Sequence, residues 1–223
     1  MYASAVNTAP LLLLGLLASS QALDNGLAMT PPMGWNSWNK FHCDVNQDLI
    51  VETAEQITAL GLDKLGYTYV NIDDCWMATD RTDEENALVG DGDRFPDGMK
   101  WMGDYLHMNN LYFGIYSSAG TKTCAKYPAS LGYEQIDAQT FANWGVDYLK
   151  YDNCFHENIP SIDRYSVMRD ALNATGRPIL YSVCQWGTEN SWQWAASVGN
   201  IWRSTRDIQP EWQYIRYNFW KSQ

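Results

Sequence analysis

The chain has 223 residues, 46% hydrophobic and 18% charged, enough for one folded domain with a core of its own. Its net charge of −11 and a pI near 4.5 exclude a phosphate-rich partner, because nucleic-acid binders cluster Lys and Arg on one face. Most of the eleven Trp and fourteen Tyr belong in a core, but aromatic faces also suit flat, partly apolar ligands such as sugar rings.

In chain order, the first feature is Leu11 to Ala18 (LLLLGLLA), an apolar run too short to span a bilayer. Ser20, Gln21 and Ala22 follow it with small residues where a signal peptidase cuts, so residues 1–22 read as a signal peptide and 23–223 as the mature domain. Met1 to Pro10 contains no Lys or Arg, which leaves the terminal amine as the positive region. A secreted chain, free of the membrane after cleavage, meets an oxidising compartment, and its cysteines then favour disulfides. Cys43, Cys75, Cys124, Cys154 and Cys184 show no CxxC and no close His spacing, so no metal site is expected. Their odd number leaves one thiol over. Asn173, Ala174 and Thr175 form the one N-x-[ST] triplet, a candidate glycosylation site.

Six short segments rich in β-branched and aromatic residues read as strands: MGWNSW (33–38), YTYVNID (67–73), LYFGIYS (111–117), VDYLKYD (146–152), ILYSVC (179–184) and NIWRS (200–204). Between them, Leu49, Ile50, Thr53, Ile57 and Leu60 follow helical spacing, as do Ile162, Tyr165, Met168 and Leu172. Strands alternating with helices indicate βαβ units and a parallel sheet. Asn36, Asp73, Asp74, Ser117, Asp152, Gln185 and Arg203 then fall at or just past the carboxyl ends of strands, where α/β barrels build their sites. A doubly wound sheet also binds ligands there, but no GxGxxG or P-loop follows the first strand. The expected fold is therefore a (β/α)8 TIM barrel. A closed barrel needs eight units, about 250 residues; six units are found, so the barrel is expected to be incomplete in this chain.

The stretch YLKYDNC (148–154) puts Lys150 and Asp152 on one side of a buried strand. A lysine there keeps the neighbouring aspartate ionised, as a nucleophile requires, although a structural salt bridge explains the same pair. Asp73 and Asp74, next to Trp76, offer two carboxylates and an aromatic face to the vicinal hydroxyls of a hexose. Metal chelation is the competing reading, and no His accompanies them. Asp207, in IWRSTRDI, is a second candidate acid, with Arg203 close enough in sequence to hold it. Two acids, one charged and one able to deliver a proton, are the minimum equipment for glycoside hydrolysis.

Taken in order, GWNSWN (34–39), NIDDCW (71–76), GIYS (114–117), YLKYDNC (148–154), CQWG (184–187) and WRSTRDI (202–208) resemble the secreted fungal α-galactosidases (melibiases) of glycoside hydrolase family 27. The resemblance implies a retaining, exo-acting α-galactosidase on galacto-oligosaccharides or galactomannans, working without cofactor. It makes Asp152 the nucleophile and Asp207 the general acid and base. Asp73 and Asp74 would bind the 4- and 6-hydroxyls of galactose over a Trp35 platform. Tyr116 and Lys150 would line the pocket, Lys150 bonding the 3- and 4-hydroxyls, with Arg203 and Gln185 at the 2-hydroxyl. The family's disulfides match Cys43 with Cys75 and Cys124 with Cys154, leaving Cys184 as the free thiol at the pocket wall.

Gln185 and Thr188 do not look opened for an acetamide, which favours α-galactosides over N-acetyl-α-galactosaminides. A non-catalytic galactose-binding protein would use the same pocket without a working acid and base. The family pattern adds two further strands and a carboxyl-terminal β domain. Their lack leaves strand edges unpaired, so the 223-residue product expressed alone is expected to be poorly folded or inactive. The segment after Trp212 reads as foreign to the family.

Overall fold

The computed structural model describes residues 25–222, so the expected signal peptide lies outside the described residues. Six strands form one sheet: β1 (Met33–Asn36), β2 (Tyr67–Asn71), β3 (Tyr112–Ser118), β4 (Tyr148–Asp152), β5 (Leu180–Cys184) and β6 (Ile201–Trp202). All neighbours are parallel and the spatial order is the chain order, β1 to β6. A doubly wound sheet would break that order at a switch point, whereas a barrel wall keeps it. The connections carry the helices: α1 (Trp38–Phe41), α2 (Gln47–Ala59), α3 (Gly98–Met108), α4 (Glu134–Asn143), α5 (Ser161–Ala174) and, after β6, α6 (Trp212–Lys221).

Helix α2 shows how the sequence builds a layer. Asn46 caps it by accepting the Leu49 amide at 2.9 Å, and Ile50, Ala54 and Ile57 make a buried stripe at helical spacing. On α3 the stripe is Met99, Met102 and Leu106, and on α5 it is Tyr165, Met168 and Leu172. These side chains meet Val70, Phe113, Ile115, Leu149, Tyr151, Tyr181 and Val183 of the sheet in one core. Burying a side chain the size of Ile50 contributes roughly 1.5–3 kcal/mol. Gly103 lets α3 close on the turn before β4, since a Cβ there would lie 2.1 Å from the Trp144 carbonyl oxygen.

Flat, six strands would span about 24 Å at the usual interstrand spacing. Yet Asn36 at the end of β1 and Arg203 just past β6 line the same cavity. The sheet is therefore curled, a partial barrel wall. Its amino-terminal rim is tied by Asp147, which accepts from Arg177 at 2.5 Å and from the Phe113 amide at 2.8 Å and pairs with His107 at 2.7 Å. At the other end, disulfides join Cys43 to Cys75 and Cys124 to Cys154, as the family resemblance implies. Asn173 is exposed in the last turn of α5. No described helix is long and apolar enough to cross a membrane.

Candidate active site

The strand ends close around a cavity of about 350 Å³ that holds Asp73, Asp74, Tyr116, Lys150, Asp152, Arg203 and Asp207 together. Parallel register brings them there. Tyr116 pairs with Lys150 across β3 and β4, and Asp152 pairs with Cys184 across β4 and β5, so each set leans to the same side of the pleat.

Asp73 is buried, and both of its carboxylate oxygens accept hydrogen bonds. Its Oδ2 accepts from Asn36 Nδ2 at 2.9 Å and from Lys150 Nζ at 2.7 Å, and its Oδ1 accepts from the Asp74 amide at 2.9 Å. The Asp74 carboxylate accepts from the Cys75 amide at 2.7 Å and the Ala125 amide at 2.8 Å. Burial still raises its pKa against those hydrogen bonds, and the charge of Asp73 pushes the same way.

Lys150 forms its ion pair with Asp73, not with the neighbouring Asp152. Its ammonium pairs with Asp73, and although burial works against its charge, Asp73 first, then Cys184 and Asp152, hold its pKa above the usual lysine value. The side chain reaches past the nearest carboxylate in sequence because Asp73 lies across the curled sheet, facing it. Removing one partner of such a pair leaves the other charge buried and uncompensated. Lys150→Met is expected to destabilise the fold by about 3 kcal/mol in urea unfolding; a loss within error would contradict the pairing.

Asp152 is held instead by three donors. Tyr116 Oη donates to its Oδ2 at 3.0 Å, while Trp186 Nε1 and the Asn153 amide both donate to Oδ1 at 2.8 Å. Burial, then the charges of Asp152, Asp74 and Asp73, push the Tyr116 pKa well above its ordinary value, so it stays a donor. Asp207 is the opposite case. It lies just past a bend at Thr205 and Arg206 after β6, with its side chain 80% exposed, and Arg203 Nη1 holds it at 2.7 Å. The i,i+4 pair forms without a helix.

Two expected residues are elsewhere. Trp35 is in register with Val70 of the core, packs on Phe41, and lines a separate cleft instead of this cavity. Trp38, on the first turn after β1, takes its place in the cavity wall, with Asn36 and Asn39. Gln185 is buried behind the wall, where its Nε2 donates to Thr188 Oγ1 at 2.6 Å and Ser161 Oγ at 3.2 Å. Trp186 faces the cavity, turned in by a left-handed backbone (φ 72°). Gly187, with φ 71°, follows it, and a Cβ there would stand 1.9 Å from the Ser204 carbonyl oxygen.

Cys184 is the free cysteine, buried, with Arg203 Nη1 at 3.7 Å from its sulfur. Burial first, then the charge of Asp152, push the thiol up to about 12. It is expected to resist iodoacetamide at pH 8 in the folded protein and to react after unfolding; labelling of the folded protein would contradict this placement. The sulfurs of Cys124 and Cys154 also lie close to Asp152, but their disulfide leaves no thiolate for a metal.

A curled parallel sheet with an acid-rich cavity at its carboxyl ends defines an α/β protein of the kind whose ligand sites sit on the strand-end loops. Residues 30–221 match the Melibiase_2 family, described as alpha galactosidase A, and the chain belongs to that family. That match runs through the segment after Trp212, which corrects the reading of it as foreign. An α-galactosidase of Coffea arabica is 53% identical over 191 residues, covering 85% of this chain and 50% of the relative. One from Saccharomyces pastorianus is 51% identical over 202 residues, covering 88% of this chain and 42% of the relative. Among solved structures, α-galactosidase I from Mortierella vinacea superposes with a TM-score of 0.81 at 50% identity, covering 83% of this chain and 48% of that one. The α-galactosidase of Saccharomyces cerevisiae with raffinose gives 0.82 at 48% identity, covering 86% and 43%. The chain spans about half the length of these relatives.

Proposed function

We propose that the protein carrying this chain is a retaining α-galactosidase acting on terminal, non-reducing α-D-galactose. The observation that carries this reading is that Asp152 and Asp207 line one cavity with different surroundings, the first oriented by three donors and the second exposed beside Arg203. In the first step an oxygen of Asp152 attacks the anomeric carbon and the glycosidic C–O bond breaks. Asp207 gives its proton to the departing oxygen. In the second step Asp207 takes a proton from water, whose oxygen attacks the anomeric carbon and expels Asp152. Asp73, Asp74 and Lys150 hold the sugar hydroxyls, with Tyr116, Arg203 and Trp38 completing the wall.

Raffinose in the Saccharomyces cerevisiae structure supports galacto-oligosaccharide substrates. The yeast and Mortierella relatives support a fungal kinship and the coffee relative a wider one. The six-unit curled sheet supports a (β/α)8 barrel in the whole protein, and the two disulfides support secretion, with Asn173 exposed for a glycan. Because Trp186 stands beside Asp152 and fills space next to the anomeric centre, p-nitrophenyl α-D-galactopyranoside is the expected substrate over its 2-acetamido counterpart. Comparing the two turnovers tests this, and preference for the acetamido sugar would overturn it.

A further inference from the structure

Helix α5 carries Arg164, which is 2% exposed, yet no carboxylate lies within 4 Å of its guanidinium among the described residues. Burying an unpaired cation is costly, so the donors must be met in another way. Nε donates to the Ile159 carbonyl at 2.9 Å, Nη1 to the Ala119 carbonyl at 2.5 Å, and Nη2 to Asn153 Oδ1 at 2.7 Å and Ser161 Oγ at 3.1 Å. Two of these acceptors belong to residues that hold Asp152. The Ala119 amide donates to the Asp152 carbonyl at 2.8 Å, and the Asn153 amide donates to Asp152 Oδ1 at 2.8 Å.

The third branch runs to the other loop of the site. Ser161 Oγ donates to Glu189 at 2.8 Å and accepts from Gln185 Nε2 at 3.2 Å, and Gln185 precedes Trp186, the remaining donor on Asp152 Oδ1. One planar fork thus touches the loop after β3 and the residue after the carboxylate, and through Ser161 it is linked to the loop after β5. A lysine, with a single nitrogen, could not span these acceptors.

We propose that Arg164 is a positioning residue that fixes the Asp152 carboxylate against Trp186 by tying the β3, β4 and β5 loops together from behind. The role assigned to Asp152 rests on the function proposed above, but the coupling itself is readable without turnover. In Arg164→Met, solvent exchange of the Trp186 indole N–H, followed by NMR in the full protein, is expected to rise at least tenfold. The control Arg177→Met, which cuts ties at the opposite rim, leaves that exchange unchanged. Turnover on p-nitrophenyl α-D-galactopyranoside is expected to fall about 100-fold in kcat with little change in KM, the size of effect a misplaced reacting group gives.

Asn153→Ala removes the relay while leaving the arginine in place, and carries the same test if the first variant does not fold. Unchanged Trp186 exchange in the folded variants would overturn the proposal, as would an equal rise in Arg177→Met. Absence of turnover in the wild-type protein would instead fail the functional reading and leave the exchange result standing.

Discussion

Replacing Asp152 with asparagine is expected to lower kcat on p-nitrophenyl α-D-galactopyranoside by about 10⁴-fold or more while galactose still binds. A loss of that size corresponds to about 5.5 kcal/mol of transition-state stabilisation. The amide is nearly the same shape. Its oxygen can keep the Asn153 and Trp186 donors, and its nitrogen can face Tyr116 Oη, which accepts as well as donates. The pocket is therefore expected to survive, and what is lost is the proposed nucleophile. Lost turnover with retained binding of galactose, read by tryptophan fluorescence, separates a hydrolase from a galactose-binding protein. Unchanged turnover would remove Asp152 from the chemistry.

Asp207→Ala is the second large effect, and its size depends on the leaving group. A sugar needs a proton as it departs, whereas p-nitrophenolate departs without one. The first bond-breaking step is expected to slow about 10⁴-fold on raffinose and about 10²-fold on the nitrophenyl substrate, bracketing the usual range for general acid catalysis. Azide, which attacks without a general base, should restore turnover and give the α-galactosyl azide. The side chain is 80% exposed, so stability should hardly change. An equal loss on both substrates, with no azide rescue, would assign Asp207 to another task.

The sheet was legible because its signals are local. Each strand is a short β-branched or aromatic run, and no rival pattern competes for it. The acids were legible for the same reason, since Asp73, Asp74, Asp152 and Asp207 stand at strand ends that the runs themselves mark. Helices α3 and α4 were harder. Their buried faces mix Met, Gly, Ala and even Glu134 and Asp137, the latter held by Arg81 at 2.7 Å, so the apolar period is broken.

Two expected residues, Trp35 and Gln185, do not line the cavity, and the direction each side chain takes explains it. Trp35 is one position off Asn36 and Gln185 one position past Cys184, both of which face inward, and a one-residue step changes face. β5 ends at Cys184, and Trp186 is turned in by its left-handed backbone, which no strand period encodes. Lys150 was placed on the correct face, but a sequence holds no record of curvature. Only the curl of the sheet brings Asp73 within 2.7 Å of a lysine on β4.

In the proposed reaction Asp152 becomes covalently attached to the sugar. A fluorinated galactosyl fluoride whose glycosyl-enzyme turns over slowly will trap that species in the wild-type protein, and peptide mass spectrometry will locate it. One galactosyl label is expected, on the peptide that carries Asp152, and it is lost on adding an acceptor that releases the sugar. A label on Asp207 or any other carboxylate, or inactivation without a label, would contradict it.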